Sequence, residues 1–385
     1  MASEAAPARA DAASDAIEVY FTGPDPSSGR LPLTLDQASH LRVSAVIQGV
    51  EVPAILDTGA SRTVIDRSFA ERLGLAGGAV YGMTGLTAPV MGSLASGVSI
   101  SLGRLTLGNV CPGVFDLDGL SRASGGAPVA AVIGQEVFRT LGVDLDLPNL
   151  HAEFMGPAHL PPLLQAATAP LRRTPRGSLY LPVSLEGGAP IQASLDIGYN
   201  AAILVSPEHA KVFGLLEGRP ISSASSAGLE GVTVGRVATL DKVALAGTTL
   251  RGVPVEVPER WNHSLPAVIG LDVLEKFRVL TDYSRGRVCL LADPRRVSSP
   301  LAKDRSGIGA VPTGDGLRIV HVAEHSPAEG AGLMAGDCIG WIDGVRVDAA
   351  YLRGHRRMGT MPAGSAFVLG LTDGRAVRLT LADYY

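Results

Sequence analysis

Two short segments could do chemistry together: LDTG at 56–59 and LDIG at 195–198, each with an aspartate two places before a glycine. Standing alone, such a tetrapeptide reads as an ordinary turn. Two of them mean more if the fold brings them face to face. Carboxylates about 3 Å apart cannot both ionise, so such a pair holds one proton between them. The ionised member can then activate a water while the protonated one gives its proton to a carbonyl oxygen, which is how a peptide bond is hydrolysed without a metal or an organic cofactor. Asp57 and Asp196 are the candidate pair, and the shared proton belongs to both. Gly59 and Gly198 allow each backbone to turn sharply enough for the two loops to meet.

The elements that must position the pair are repeated along the chain. Residues 41–59 align without a gap on residues 180–198, so that Gly49 falls on Gly188, Val52 on Ile191, Leu56 on Leu195 and Asp57 on Asp196. Each copy reads as strand, glycine turn, strand and Asp-x-Gly, a β-hairpin leading into the loop. Ala-Val-Ile-Gly recurs at 131–134 and 267–270, 77 residues after Asp57 and 74 after Asp196. Closing hairpins are expected at 143–154 and 279–291, with Asp146 and Asp282 in matching places. A repeat of this kind predicts two related lobes.

Length and composition agree with that organisation. The chain has 385 residues, 46 % of them hydrophobic, with 47 Gly and 26 Pro, which suits several β-rich units with many turns. The predicted division is a disordered leader at 1–30, lobes at 31–155 and 179–292, a Pro-rich linker at 156–178, a second linker at 293–305 and a last unit at 306–385. A net charge of −4 with no basic run argues against a nucleic-acid partner. No apolar stretch is long enough for a membrane span. Cys111, Cys289 and Cys338 are three and widely spaced, which excludes a disulfide framework or a CxxC zinc site; they are expected to be buried core residues. No HExxH or His/Cys cluster points to a metal. The start, MASEAAPARADAASDA, lacks the apolar region of a signal peptide. A cytoplasmic protein is expected if this is the native start, and a periplasmic or secreted one if a signal has been removed.

With LDTGAS at 56–61, its hairpin and the paired AVIG, residues 40–292 resemble the retropepsin/pepsin clan of aspartic peptidases in its bilobal, single-chain form. The resemblance implies a mainly β fold of two acid-protease lobes and an endopeptidase acting on protein or peptide substrates. It also implies that Gly134 and Gly270 pack beneath the aspartate loops, and that the hydroxyl after each aspartate reaches across to the opposite loop. Thr58 has that hydroxyl and Ile197 lacks it, so half of the tie is missing. A non-catalytic peptide-binding protein is the alternative that Ile197 favours. A flap is expected at 80–93, with Tyr81 and Met83 toward the cleft, and 222–235 as the opposite wall. Ala60 and Tyr199 stand where pepsin-like relatives often carry a hydroxyl donor to the outer carboxylate oxygen, so both dyad pKa values are expected to rise.

Residues 307–344, with GIGA, SPAEGAGL and GDCI, resemble a bacterial-type PDZ domain. This implies a C-terminal peptide ligand added at a sheet edge, its carboxylate held by the loop Gly307, Ile308, Gly309 and Ala310. Strands are expected at 317–322, 366–371 and 376–381, with a ligand-facing helix at 349–361.

Overall fold

The structure, a computed structural model, describes residues 16–75, 78–84, 89–124, 128–174, 178–228, 231–354 and 358–385. Strands dominate it, and their succession is the same in both copies. In the first, Leu41–Ile47 and Val50–Leu56 form an antiparallel hairpin with Ile47 opposite Val50. Its two turn residues, Gln48 and Gly49, both have positive φ, which matches the twist of the flanking strands. In the second, Leu179–Leu185 pairs with Ile191–Leu195 through a longer turn. The left-handed residues there are Glu186 and Gly187, so the glycine equivalent to Gly49 is Gly187 and not Gly188.

Past each aspartate loop a three-residue strand enters a short capped helix. Val64–Asp66 leads into Arg67–Arg72, where Asp66 accepts from the Phe69 N–H. Ile203–Val205 leads into Pro207–Val212, where Ser206 accepts from the His209 N–H. The AVI strand then threads between the strands on either side of the loop. Ala131–Ile133 runs parallel to Val50–Leu56 and antiparallel to Val64–Asp66. Ala267–Ile269 does the same with Ile191–Leu195 and Ile203–Val205. Every side chain of both AVI strands is buried, as a strand flanked on both edges and covered on both faces requires.

The two copies meet in a six-stranded sheet. Gly142–Asp146 of the first closing hairpin pairs antiparallel with Phe277–Asp282 of the second. The two AVIG motifs are 136 residues apart, and at that offset Asp144 corresponds to Leu280. Those two are register partners, so an approximate two-fold axis passes between them. The sheet is pinned there by the Arg278 guanidinium, whose Nε donates to Asp144 Oδ1 at 2.8 Å. One apolar core runs continuously through both copies.

Two expectations at the edges need correction. Residues 16–30 are not a disordered leader: Glu18–Phe21 pairs with Leu105–Val110, and Ile17, Val19 and Phe21 pack against the main core. Residues 156–178 are not only a linker. Thr168–Pro170 pairs with Arg287–Ala292 in the shared sheet, and Arg172–Arg173 pairs with Leu179–Leu185. Among the cysteines, Cys289 and Cys338 are buried and Cys111 is partly exposed.

The last unit is a separate sheet in the order Ile308–Thr313, Gly316–Val322, Cys338–Ile342, Ala366–Leu371, Ala376–Thr380, with its own core around Ile319, Ile339, Leu369 and Leu379. The helix expected at 349–361 is shorter: Ala349–Gly354 is helical, Met358–Thr360 is a single 3-10 turn, and 355–357 lie outside the described residues. This unit docks on the second copy, where the Ser223 hydroxyl and His321 Nε2 are 3.0 Å apart. The segment joining them is itself tied down, with Leu301 buried and the Lys276 ammonium donating to the carbonyls of Ser299 and Pro300.

The N-terminal strand is an edge that covers core, so Phe21→Ser should cost about 1 kcal/mol. Denaturant unfolding would show this as an earlier midpoint; an unchanged midpoint would mean that the strand adds no burial.

Candidate active site

The two Asp-x-Gly loops hang from the AVI strands by matching bonds. Asp57 N–H donates to the Ile133 carbonyl at 3.0 Å and Asp196 N–H to that of Ile269 at 2.9 Å. One residue past each AVIG, Gln135 N–H donates to Ala60 and Leu271 N–H to Tyr199, both at 2.7 Å. Gly134 and Gly270 lie against the returning limbs of the loops. A Cβ on Gly134 would fall 2.3 Å from the Arg62 carbonyl carbon, and one on Gly270 2.2 Å from the Ala201 carbonyl oxygen. No side chain fits at either place, which is the physical content of the glycine in AVIG.

Each loop aims its carboxylate with its own backbone. Asp57 Oδ1 accepts from the N–H groups of Gly59 (2.7 Å) and Ala60 (2.9 Å). Asp196 Oδ1 accepts from Gly198 (2.8 Å) and Tyr199 (3.1 Å). The loops then fit each other reciprocally. A Cβ on Gly59 would lie 2.2 Å from Asp196 Oδ2, and a Cβ on Gly198 would lie 2.3 Å from Asp57 Cγ. Each glycine leaves the room that the other loop's carboxylate occupies.

Both carboxylates are half-buried at this junction. Loss of solvent, and then the Asp196 carboxylate beside it, push Asp57 up to about 7. Asp196 is raised as well, chiefly by burial, against the pull of the Gly198 and Tyr199 N–H groups. The pair therefore gives up its protons in two separated steps.

The hydroxyl tie is half present. Thr58 Oγ1 donates to the Leu195 carbonyl at 2.8 Å and accepts from the Ile197 N–H at 3.1 Å, so one side chain makes two bonds across the junction. Ile197 is buried and offers only packing in return. Gln135 adds a further support, its side-chain Nε2 donating to the Thr58 carbonyl at 3.2 Å.

The walls differ in character. Val80–Thr84 and Pro89–Leu94 form a hairpin in which Tyr81 faces Gly92 and Met83 faces Val90; its tip, 85–88, lies outside the described residues. Tyr81 and Met83 sit in one apolar cluster with Ala60 of the first aspartate loop and Phe115, and the Arg62 guanidinium lies 5.5 Å from the Tyr81 ring centre. The opposite hairpin, Ser222–Gly228 with Gly231–Leu240, belongs to a polar wall. There Ser226 Oγ lies 2.9 Å from both oxygens of the buried Glu256, and the Tyr199 hydroxyl donates to the same carboxylate at 2.9 Å. Burial raises Glu256 above the usual carboxylate value. Tyr199 thus spends its hydroxyl on Glu256 and not on Asp196. Ser226 lies within 222–235, the segment expected as the opposite wall, whereas sequence reasoning missed Glu256, which lies in no repeated motif.

The C-terminal loop departs from expectation. Gly307 N–H already donates to Asp304 Oδ2 at 2.7 Å and Ile308 N–H to Ser306 Oγ at 3.1 Å, so two of the four anticipated carboxylate-binding residues have their amides committed. Gly309 is pressed against Ser225 of the polar wall, where a Cβ would fall 2.0 Å from the hydroxyl oxygen. Ala310 lines the neighbouring groove. Among the described residues, the carboxylates close enough to share a cation are Asp66, Asp116 and Asp118; Asp66 is already engaged by the N–H groups of Phe69 and Leu117.

Residues 43–137 match the family model described as aspartyl protease, which supports an aspartic protease domain over that stretch. A search of curated proteins finds no match to the chain. The matched stretch holds Asp57, the Tyr81 hairpin and the first AVIG.

Two variants test the junction. Thr58→Val removes both cross-junction bonds and should cost about 1–3 kcal/mol, whereas Ile197→Thr supplies a second hydroxyl and should be neutral or stabilising. Equal thermal stability of Thr58→Val and the native protein would contradict the assignment. The second test uses the sign of the Asp57 shift. A carboxylate raised in the folded state stabilises fully below its unfolded value of 3.8, and that stability is lost as the pH rises toward about 7. Asp57→Asn should therefore raise the melting temperature, relative to native, more at mildly alkaline than at acidic pH. Equal shifts at both would contradict it.

Proposed function

We propose that the chain is an aspartic endopeptidase of two related lobes, with Asp57 and Asp196 as its catalytic pair and a tethered PDZ-type unit at its C-terminus. The observation that carries this reading is the reciprocal fit in which each Asp-x-Gly glycine makes room for the carboxylate of the other loop. The family match over residues 43–137 supports the first lobe. For the second lobe, support comes from the repeated threading of the AVI strand and from the shared sheet.

In this reading a water held between the two carboxylates is the nucleophile. The ionised aspartate takes a proton from that water as its oxygen attacks the peptide carbonyl carbon. The protonated aspartate gives its proton to the carbonyl oxygen. As the tetrahedral intermediate collapses, the C–N bond breaks, the leaving nitrogen takes the proton first drawn from the water, and one hydroxyl of the intermediate returns its proton to the aspartate that gave one, which leaves a carboxylic acid and restores the pair. The tyrosine hairpin covers the substrate, and protein or peptide chains are the substrate class. No metal or organic cofactor enters any step. A second reading, a cleft that holds peptides without cutting them, is favoured by Ile197 alone. Thr58, which reaches both the Leu195 carbonyl and the Ile197 N–H, weighs against it.

Incubation with a diverse peptide pool, read by mass spectrometry, should show internal cleavages by the native protein that Asp57→Asn and Asp196→Asn both lose. Full activity in Asp196→Asn would exclude a two-lobe centre. The profile of kcat/KM against pH should lie in the mildly acidic to neutral range, because both carboxylates are raised and the working form exists between their two ionisations. Ala60→Ser, which adds a donor to the charged form, should move the profile downward. A native optimum as acidic as pepsin's, or an unmoved Ala60→Ser profile, would contradict this.

A further inference from the structure

Two residues that set the second copy apart from the first touch each other. Tyr199 stands three places past Asp196, where Ala60 stands three past Asp57. The counterpart of Glu256 is fixed by sheet register. Val64 and Ile203 each lie seven places past their aspartate; Val64 is opposite Gly113, and Ile203 is opposite Val255. The next residues are Val114 and Glu256, both buried. A core valine of the first copy is thus a carboxylate in the second, and the alanine of the aspartate loop is a tyrosine whose hydroxyl donates to that carboxylate at 2.9 Å. Burying a carboxylate is costly, and the first copy shows that the fold does without one at this place.

Tyr199 is engaged at every end. Its N–H is one of the two donors that aim Asp196 Oδ1, and its carbonyl accepts from the Leu271 N–H at 2.7 Å. Its ring lies on the glycine of the second AVIG, where a Cβ on Gly270 would fall 2.5 Å from Cδ1. Its hydroxyl meets Glu256, which Ser226 Oγ also reaches at 2.9 Å from the strand Ser222–Gly228. That strand is backed in turn by the C-terminal unit, through Ser223 and His321. The first loop has a different brace, the Gln135 amide on the Thr58 carbonyl. Leu271 stands where Gln135 does, one place past its AVIG, and has no such group to give.

We propose that Glu256 is a positioning residue for the aspartate pair: through the Tyr199 hydroxyl it braces the second loop and keeps the Tyr199 N–H on Asp196, in place of the amide brace that Gln135 gives the first. The inference rests on the reading of Asp57 and Asp196 as a peptidase centre. The brace does not depend on titration of Glu256, since either form of its carboxyl leaves an oxygen to accept. Burial, and then Glu256 beside it, push the Tyr199 hydroxyl well above its ordinary range, so it keeps its proton and stays a donor. Around the two stand Asp196, Asp272 of the short helix Leu271–Leu274, and Tyr385, while His40 and Asp304 line the cavity beside them. Removing the brace frees the Tyr199 N–H, and a donor lost from the ionised form raises the ionisations of the pair.

The test compares Glu256→Leu, Glu256→Gln and Tyr199→Phe in the full-length protein. Two readouts are taken: the ionisations of the pair, by NMR of carboxyl-labelled aspartate, and kcat and KM against pH on one cleaved peptide. Glu256→Leu should raise the two ionisations by about half a unit or more in sum and move the pH profile upward with them. It should lower kcat about tenfold, with KM within about twofold of native. Tyr199→Phe, which keeps the ring on Gly270, should do the same, and it carries the test if Glu256→Leu fails to fold. The double variant should be no worse than either alone, since both remove the same bond. Glu256→Gln still offers an oxygen to Tyr199 and a donor to Ser226, so it should rescue most of the kcat that Glu256→Leu loses and return the ionisations toward native. A lower melting temperature in Glu256→Leu and Tyr199→Phe, with ionisations and kcat unmoved, would overturn the proposal and leave Glu256 a packing residue. A loss in Glu256→Gln equal to that in Glu256→Leu would overturn it in favour of the charge. A native protein that cleaves no peptide would remove the peptidase reading, and the ionisations alone would then decide the brace.

Discussion

Everything in the two N-terminal units serves one contact, the approach of two carboxylates that repel each other. The repulsion is overcome by shape and by donors. Gly59 and Gly198 remove the atoms that would keep the loops apart, and four backbone N–H groups hold the inner oxygens in place. The AVI strands fix the height of each loop, and Gly134 and Gly270 let the loops seat on them. The shared sheet keeps both supports in register, through the pairing of Asp144 with Leu280. What remains of the electrostatic cost appears as upward shifts of both acids, and those shifts hold a proton in the pair.

The two copies have the same skeleton and unlike linings. The first surrounds its aspartate loop with Tyr81, Met83 and Phe115, and the second with Tyr199, Ser226 and Glu256. The Thr58–Ile197 difference belongs to the same divergence. One hydroxyl now makes the bonds across the junction, and the chain connection and shared sheet hold the copies together without a second. A single chain can differ in this way because each side of its cleft has its own sequence.

The repeat made the aspartates, their glycines and the AVIG supports legible from sequence, because backbone constraints of this strictness leave few residue choices. Gly134 could be read because no other residue fits beside Arg62. The strand at Glu18–Phe21 was hidden because four residues of alternating pattern beside an Ala-rich segment look like a leader; only the open edge at Leu105–Val110 makes them a strand. Thr168–Pro170 was hidden for the same reason, since its partner, Arg287–Ala292, is more than a hundred residues away. Glu256 and Asp304 show a third kind of blindness. Their neighbours come from distant segments, Tyr199 and Ser226 in one case and Tyr384 in the other, and no local pattern announces them.

The central claim is that Asp57 and Asp196 titrate as one unit across the junction of the two copies. The direct measurement is NMR titration of carboxyl-labelled aspartate in the native protein, with Asp57→Asn and Asp196→Asn identifying the signals. The account predicts two separated ionisations, both above the ordinary value of 3.8, with the later one near 7. It also predicts that either substitution collapses them to a single step. Two independent titrations near 3.8, each unmoved by loss of the other aspartate, would contradict it.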